Sequence, residues 1–347
     1  MKKKIFIALL GMLMVICFPF VKTDAAEEDS VDYSIQAIIP ENQVNQELSY
    51  FDLRVTSGEH QTIQVQVNNF SDQAQKYSVE VNTAQTNGNM LIDYSNNQLP
   101  KDSMNQLPIS EFVDYPKEIE IPAQKAGIIS FDINVPEEAF DGILLGGIHV
   151  KKHFAENEKP ADGKIKSEYD YILGLRLSEN DEAVTPNIEF SKISPANISN
   201  NAGIKVQLKN PTATTIKNVT MTGNIYSADS DKSIISRTIE NGSIAPDSVF
   251  DLFFFNGKTG KTKPLEAGNY RMEMQVKDEN DHQWNFSQKF KISQQAAKKV
   301  NNQIFTTTSD NTLLYIVIGI LSALVLGMLI FWFLKKRQTN KDIESKK

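Results

Sequence analysis

Nearly every readable stretch of this chain alternates apolar and polar residues. Phe51, Leu53 and Val55 alternate, then Ile63, Val65 and Val67, then Tyr77, Val79 and Val81. Ile129, Phe131, Ile133 and Val135 follow, and later Tyr169, Tyr171, Leu173, Leu175 and Leu177. Successive side chains on a strand point to opposite faces, so this period predicts strands with one buried and one wet side. Short runs of that kind, spaced by Asn, Gly, Pro and Asp, predict antiparallel sandwiches. The second half keeps the habit: Ile204, Val206 and Leu208; Val219, Met221 and Ile225; Tyr270, Met272, Met274 and Val276; Trp284, Phe286, Phe290 and Ile292.

One phrase is written twice. Residues 63–71 read IQVQVNNFS, and residues 204–212 read IKVQLKNPT. In each, an inward-facing strand ends at an Asn-rich turn and a second strand returns, over 76–81 in one half and 217–225 in the other. This predicts two sandwiches in tandem, each opening with the same hairpin-like problem. The stretch 265–270, LEAGNY, places a Gly two residues before a strand-entry Tyr, as in the tyrosine corner of immunoglobulin-like sandwiches. The expected fold is therefore all-β, with two immunoglobulin-like β-sandwich domains over 31–178 and 187–293. Residues 151–166 read as a long hairpin loop, 178–186 as the linker and 294–311 as a polar stalk. No long amphipathic helix is expected between the two ends of the chain, though residues 136–140 suit a short helical turn.

The ends bound the compartment. Lys2, Lys3 and Lys4 precede an apolar run over 5–20 and the small residues Ala25 and Ala26, the three-part layout of a secretory signal over 1–25. Cys17, the only cysteine, leaves with it, so the mature chain is held by its cores without disulfides. Residues 313–334 carry no charge and would span about 33 Å, which predicts a C-terminal transmembrane helix. The basic tail over 335–347 puts that end in the cytoplasm. The expectation is a single-pass protein of the cell membrane with its N-terminal ectodomain outside. Between residues 26 and 334 there are 40 acidic and 26 basic residues, an acidic balance that argues against nucleic acid as a partner.

Little in the sequence points to catalysis. His149 and His153 lack the Glu of a metalloprotease helix and fall in a strand, where residues four apart lie about 13 Å from each other. No G-x-S-x-G elbow is present and no cysteine nucleophile survives maturation. Glu118, Glu120 and Asp251 read as strand and turn residues. Asp278, Glu279, Asn280 and Asp281 lack the Gly and closing Glu of a calcium loop and suit a solvated turn. The expectation is a non-enzyme with no metal and no cofactor. Three features suggest a recognition surface instead. Tyr50 and Phe51 are neighbours on a strand, so one faces the core and the other solvent. Asn87-Gly88 is a hairpin signal. The Gly-rich run over 141–148 marks bulges or the close approach of another chain.

Residues 39–73, 84–94 and 141–150 closely resemble the WxL-interacting proteins of low-GC Gram-positive bacteria, and the resemblance extends over essentially the whole chain. It implies two β-sandwich domains, the first binding peptidoglycan and the second binding host matrix protein. It further implies association with WxL-domain surface proteins and a place facing the cell wall and the exterior. Within that reading Tyr50, Asp52, Asn87, Asn89, Asp93 and Tyr94 are the candidates for glycan contact, because polar groups beside an aromatic face suit sugars. Read as plain structure, the same six build turns and core. An export chaperone for surface proteins and a wall-glycan hydrolase are the rival functions.

Overall fold

The structure, a computed structural model, describes residues 32–153, 169–258, 261–304 and 312–344, the side chains of 312–315 and 333–344 excepted. The expected signal peptide, residues 154–166 of the expected hairpin loop and residues 305–311 of the expected stalk lie outside this set. Eleven strands come first: β1 (Tyr33–Ile38), β2 (Phe51–Arg54), β3 (His60–Asn69), β4 (Gln75–Thr83), β5 (Gln85–Thr86) and β6 (Ile92–Asp93). They continue with β7 (Val113–Asp114), β8 (Glu118–Ile121), β9 (Ala126–Asn134), β10 (Leu144–Lys152) and β11 (Asp170–Ser178). The second half holds β12 (Glu189–Ile198), β13 (Asn201–Asn210), β14 (Ile216–Ser227), β15 (Ser233–Ile244) and β16 (Ser248–Phe255). After the short β17 (Gly257–Lys258) and β18 (Lys261–Thr262) come β19 (Gly268–Lys277) and β20 (Gln283–Ile292). Two helices follow, α1 (Gln294–Asn301) and α2 (Thr312–Glu344).

The fold is thus mostly β-sheet, arranged as two sandwiches with separate cores. In the first, the sheet β1-β3-β9-β7 faces the sheet β2-β11-β10-β4-β8. The alternating residues meet between them: Phe51, Leu53, Ile63, Val65, Val67, Phe131, Leu175 and Leu177 are all fully or almost fully buried. In the second, β12-β13-β16 faces β15-β14-β19-β20 around Ile204, Val206, Leu208, Met221, Phe254 and Met272. The Tyr270 hydroxyl donates to the Glu266 carbonyl at 2.8 Å, the tyrosine-corner bond that the sequence predicts. Asp278 spends its carboxylate on the turn between β19 and β20, accepting from the N–H groups of Asn280 and His282.

The hairpin that Asn87-Gly88 signals is present: β5 and β6 pair antiparallel and are joined by the five residues 87–91. The left-handed residue of that loop is Met90, at φ 55°. Two expectations need correction. The stalk expected over 294–311 begins instead as α1, capped by the Ser293 hydroxyl and packing Ala297 and Val300 into the second core. The second concerns the membrane. Among the described residues, no helix is long and apolar enough to cross one. The placement in a cell membrane, and the partnership with it through a C-terminal helix, are withdrawn on that finding.

The two sandwiches are joined through buried contacts. The 87–91 loop of the first reaches over, and Met90 is completely buried among the apolar residues of the second. Its carbonyl accepts from Ser243 N–H at 2.6 Å, and Gly242 leaves it room: a Cβ there would stand 3.1 Å from that of Met90. The Thr86 and Ser248 hydroxyls share a hydrogen bond of 2.8 Å, while Ala245 N–H donates to Thr86 Oγ1 at 2.9 Å. Arg237 donates to the Gly88 carbonyl and to Asn89 Oδ1. On another side, Ile143 N–H donates to the Ala213 carbonyl at 2.9 Å. Gly142, at φ 77°, is required next to it, because a Cβ would lie 2.2 Å from that carbonyl oxygen.

Candidate functional site

The candidate site begins with two glycines. Gly147 on β10 and Gly174 on β11 stand opposite each other in the antiparallel register. Without side chains they leave a bare patch of backbone on one face of the sheet. Two tyrosines occupy it. A Cβ added at Gly147 would meet Tyr94 Cβ and Cγ at 2.9 Å, and one added at Gly174 would meet the Tyr50 ring at 3.5 Å. Tyr94 therefore lies over Gly147 and Tyr50 over Gly174. The aromatic pair is seated by what the strands lack, a close approach of the kind that strand glycines permit.

Buried amides fix both tyrosines from behind. Asn82 Nδ2 donates to the Tyr94 carbonyl at 2.8 Å, and Gln43 Nε2 donates to the Tyr50 carbonyl at 2.8 Å. Gln43 also accepts from Asp52 N–H through its Oε1. Burial, and secondarily the neighbouring Tyr50, raise the Tyr94 phenol pKa above its ordinary value, so this hydroxyl stays protonated at neutral pH. Tyr50 remains 39% exposed and Ile172, beside the shelf, 43% exposed, so the aromatic and apolar faces are open to a ligand.

The shelf forms one wall of a cleft of about 660 Å³ at the junction of the two sandwiches. Arg176 of β11 lines it, and Thr214, Thr215 and Lys217 of the second sandwich close the other side. The Arg176 guanidinium pairs with the Asp52 carboxylate, which is itself almost buried. No carboxylate lines the cleft among the described residues. The cleft thus presents phenols, hydroxyls and cations.

Of the six residues nominated from the sequence, the fold brings Tyr50 and Tyr94 together on this surface, with Asp52 behind them holding Arg176. The other three lie elsewhere. Asn87 Oδ1 accepts from the N–H groups of Asn89 and Leu91 and shapes the inter-sandwich loop. Asn89 accepts from Arg237 of the second sandwich. Asp93 Oδ1 accepts from Ser95 N–H in a local turn. Sequence reasoning missed Gly174, Arg176, Thr214, Thr215 and Lys217. Gly174 interrupts the apolar run 171–175 of β11, which was a usable signal; the other four carry none. His149 is committed to Asp170 by a 2.9 Å contact through Nδ1.

Two family models match the chain. One describes the peptidoglycan binding domain of the WxL Interacting Protein and covers residues 33–152; the other describes the host binding domain of that protein and covers residues 161–302. No curated protein sequence matches. Among solved structures, the chain is similar to the chaperone–tip adhesion subunit pre-assembly complex of the archaic Csu pili of Acinetobacter baumannii. The identity is 11%, the coverage 74% of this chain and 98% of that one, and the TM-score 0.34. It is similar also to the E. coli chaperone DraB at 15% identity, covering 75% and 98%, with a TM-score of 0.27.

Proposed function

This chain belongs to the WxL-interacting protein family, and from that premise we propose that it is a binding scaffold of the bacterial cell surface. Its first sandwich docks on peptidoglycan. Its second engages protein partners, WxL-domain surface proteins and host matrix protein among them. The chain works by holding neighbours together and not by turnover.

One observation carries the glycan assignment: Tyr50 and Tyr94 lie side by side over the opposed glycines Gly147 and Gly174. Sugars present flat patches of C–H groups rimmed by hydroxyls. Aromatic faces next to hydrogen-bonding side chains complement that surface, and a rigid backing lowers the entropy lost on binding. Asp52 contributes by orienting Arg176. Asn87, Asn89 and Asp93 contribute by shaping the loop that precedes Tyr94.

Sedimentation of the full chain with insoluble peptidoglycan tests this reading. Tyr50→Ala and Tyr94→Ala are expected to weaken co-sedimentation about ten-fold or more, as removal of an aromatic anchor does. Gly147→Val, which pushes Tyr94 off its seat, is expected to do the same with both rings intact. Undiminished binding by all three variants would overturn it, and release of soluble muropeptides would point to a hydrolase.

A further inference from the structure

We propose that the cleft is a composite site for an acidic glycopeptide: sugar rests on the Tyr50–Tyr94 shelf of the first sandwich, and a peptide carboxylate meets Lys217 of the second. The proposal rests on the glycan reading above and extends it to the chemistry of the whole ligand.

The position of Lys217 is built. Ile216 and Val219 are both buried, and the pairing of β14 with β15 slips between them. Asn218 stands in the left-handed region at φ 49°, and its side-chain amide donates to Glu279. A slip of this kind is a bulge, and bulges turn a side chain away from the alternation that its strand would impose. Lys217 is thereby delivered to the cleft and stays exposed, without an ion-pair partner among the described residues. The 211–215 segment just before it is held to the first sandwich by the Ile143–Ala213 hydrogen bond and the Gly142 contact. The backbone that carries Lys217 is therefore held opposite the tyrosines.

Charge chooses the ligand. The chain carries 43 acidic against 36 basic residues, yet among the described residues the charged groups lining the cleft are the cations Arg176 and Lys217. Arg176 is neutralised by Asp52, which leaves one uncompensated positive charge at Lys217. One charge suits a monoanionic carboxylate better than a phosphate dianion. Thr214 and Thr215 line the same cleft and bring hydroxyls that can share the carboxylate oxygens. In peptidoglycan the peptide leaves the sugar through a lactyl ether, so carboxylate and ring are within one cleft's reach of each other.

Calorimetric titration of the full chain with two probes separates the possibilities: N-acetylmuramyl dipeptide with its carboxylates free, and the same compound as its diamide. The native chain is expected to favour the free acid about three- to ten-fold, the range of a partly exposed charge contact, and to lose that preference in high salt. Lys217→Ala is expected to abolish the preference while still binding the diamide. Tyr50→Ala is expected to weaken both probes equally. A native chain that does not discriminate between acid and diamide, or a Lys217→Ala chain that still does, overturns the composite site and leaves the tyrosine shelf standing. Tyr50→Ala and Tyr94→Ala chains that bind both probes as the native chain does overturn the shelf itself.

Discussion

Asn69 and Asn210, 141 positions apart, make matching hydrogen bonds, with one more at Asn69, to the Pro122 carbonyl. Asn69 Oδ1 accepts from the N–H and the hydroxyl of Ser71, at 3.0 and 2.7 Å. Asn210 Oδ1 accepts from the N–H and hydroxyl of Thr212, at 3.1 and 2.6 Å. Each Nδ2 donates to the carbonyl four residues on, Gln73 or Thr214, and across the sandwich to Ile121 or Ala245. Both amides are completely or almost completely buried, and every polar atom on them is used. The phrase repeated in the sequence is a repeated amide tie at one corner of each sandwich.

Replacing either amide should therefore cost much more than one hydrogen bond. Asn69→Ala and Asn210→Ala each strand several buried backbone groups, and a loss of about 2–4 kcal/mol is expected at both positions. Urea midpoints of the two variants measure it. A change below about 1 kcal/mol at either site would show that water replaces the tie.

Met90 makes the two sandwiches one unfolding unit. Truncating it to Ala removes a buried side chain from the second core and should cost about 2–4 kcal/mol. Met90→Asp places a charge among Ile and Val side chains and should separate the modules. Scanning calorimetry is expected to give one transition for the native chain and two for Met90→Asp. Two resolved transitions in the native chain would contradict the coupling.

A fragment ending at residue 153 should not fold, although the first family model stops at residue 152. It would lack β11, which sits between β2 and β10 and supplies the fully buried Leu175 and Leu177. A fragment over 32–185 restores that strand. Dispersed amide resonances are expected from the longer fragment and collapsed ones from the shorter.

Asp247 makes stability depend on pH. Burial pushes its carboxyl pKa up to about 6 from an ordinary 3.8. Between those values the folded chain keeps a proton there that the unfolded chain has released, so stability falls as pH rises through the window. Above pH 6 the ionised group costs the fold about 1–3 kcal/mol, less than full linkage because the side chain is only partly buried. Asp247→Asn keeps a residue that tolerates the left-handed backbone at φ 46°. It should raise the urea midpoint at pH 7.5 and leave it unchanged at pH 4; a rise at both would implicate something other than the charge.

The period-two runs made the strands and most of both cores readable, because burial on one face writes itself directly into the alternation. Phe51 is buried and Tyr50 exposed as expected, but Tyr50 stands in the bend just before β2 and not on the strand itself. Joints between elements were not readable. Met90 has the composition of any loop residue, and its burial depends on a core assembled from residue 188 onward. The Gly147–Gly174 opposition is a matter of register, which no single strand records. Helix α1 hid behind its polar residues, since only Ala297 and Val300 face inward. The turn bonds of Asn87 and Asn89 were hidden for a related reason: an Asn suited to a sugar is also suited to a turn.

The pairing of β2 with β11 is parallel, joining Phe51 to Leu175 and Leu53 to Leu177. Within its sheet, β2 has no other strand neighbour. A nascent polypeptide must therefore extend well past a hundred further residues before this early segment finds its seat, and closing so long a loop makes folding slow. Until then two large apolar side chains wait unshielded, and a growing chain in that condition is open to clumping or to capture by a holdase. The last-made strand of the first sandwich decides when its first-made half becomes safe.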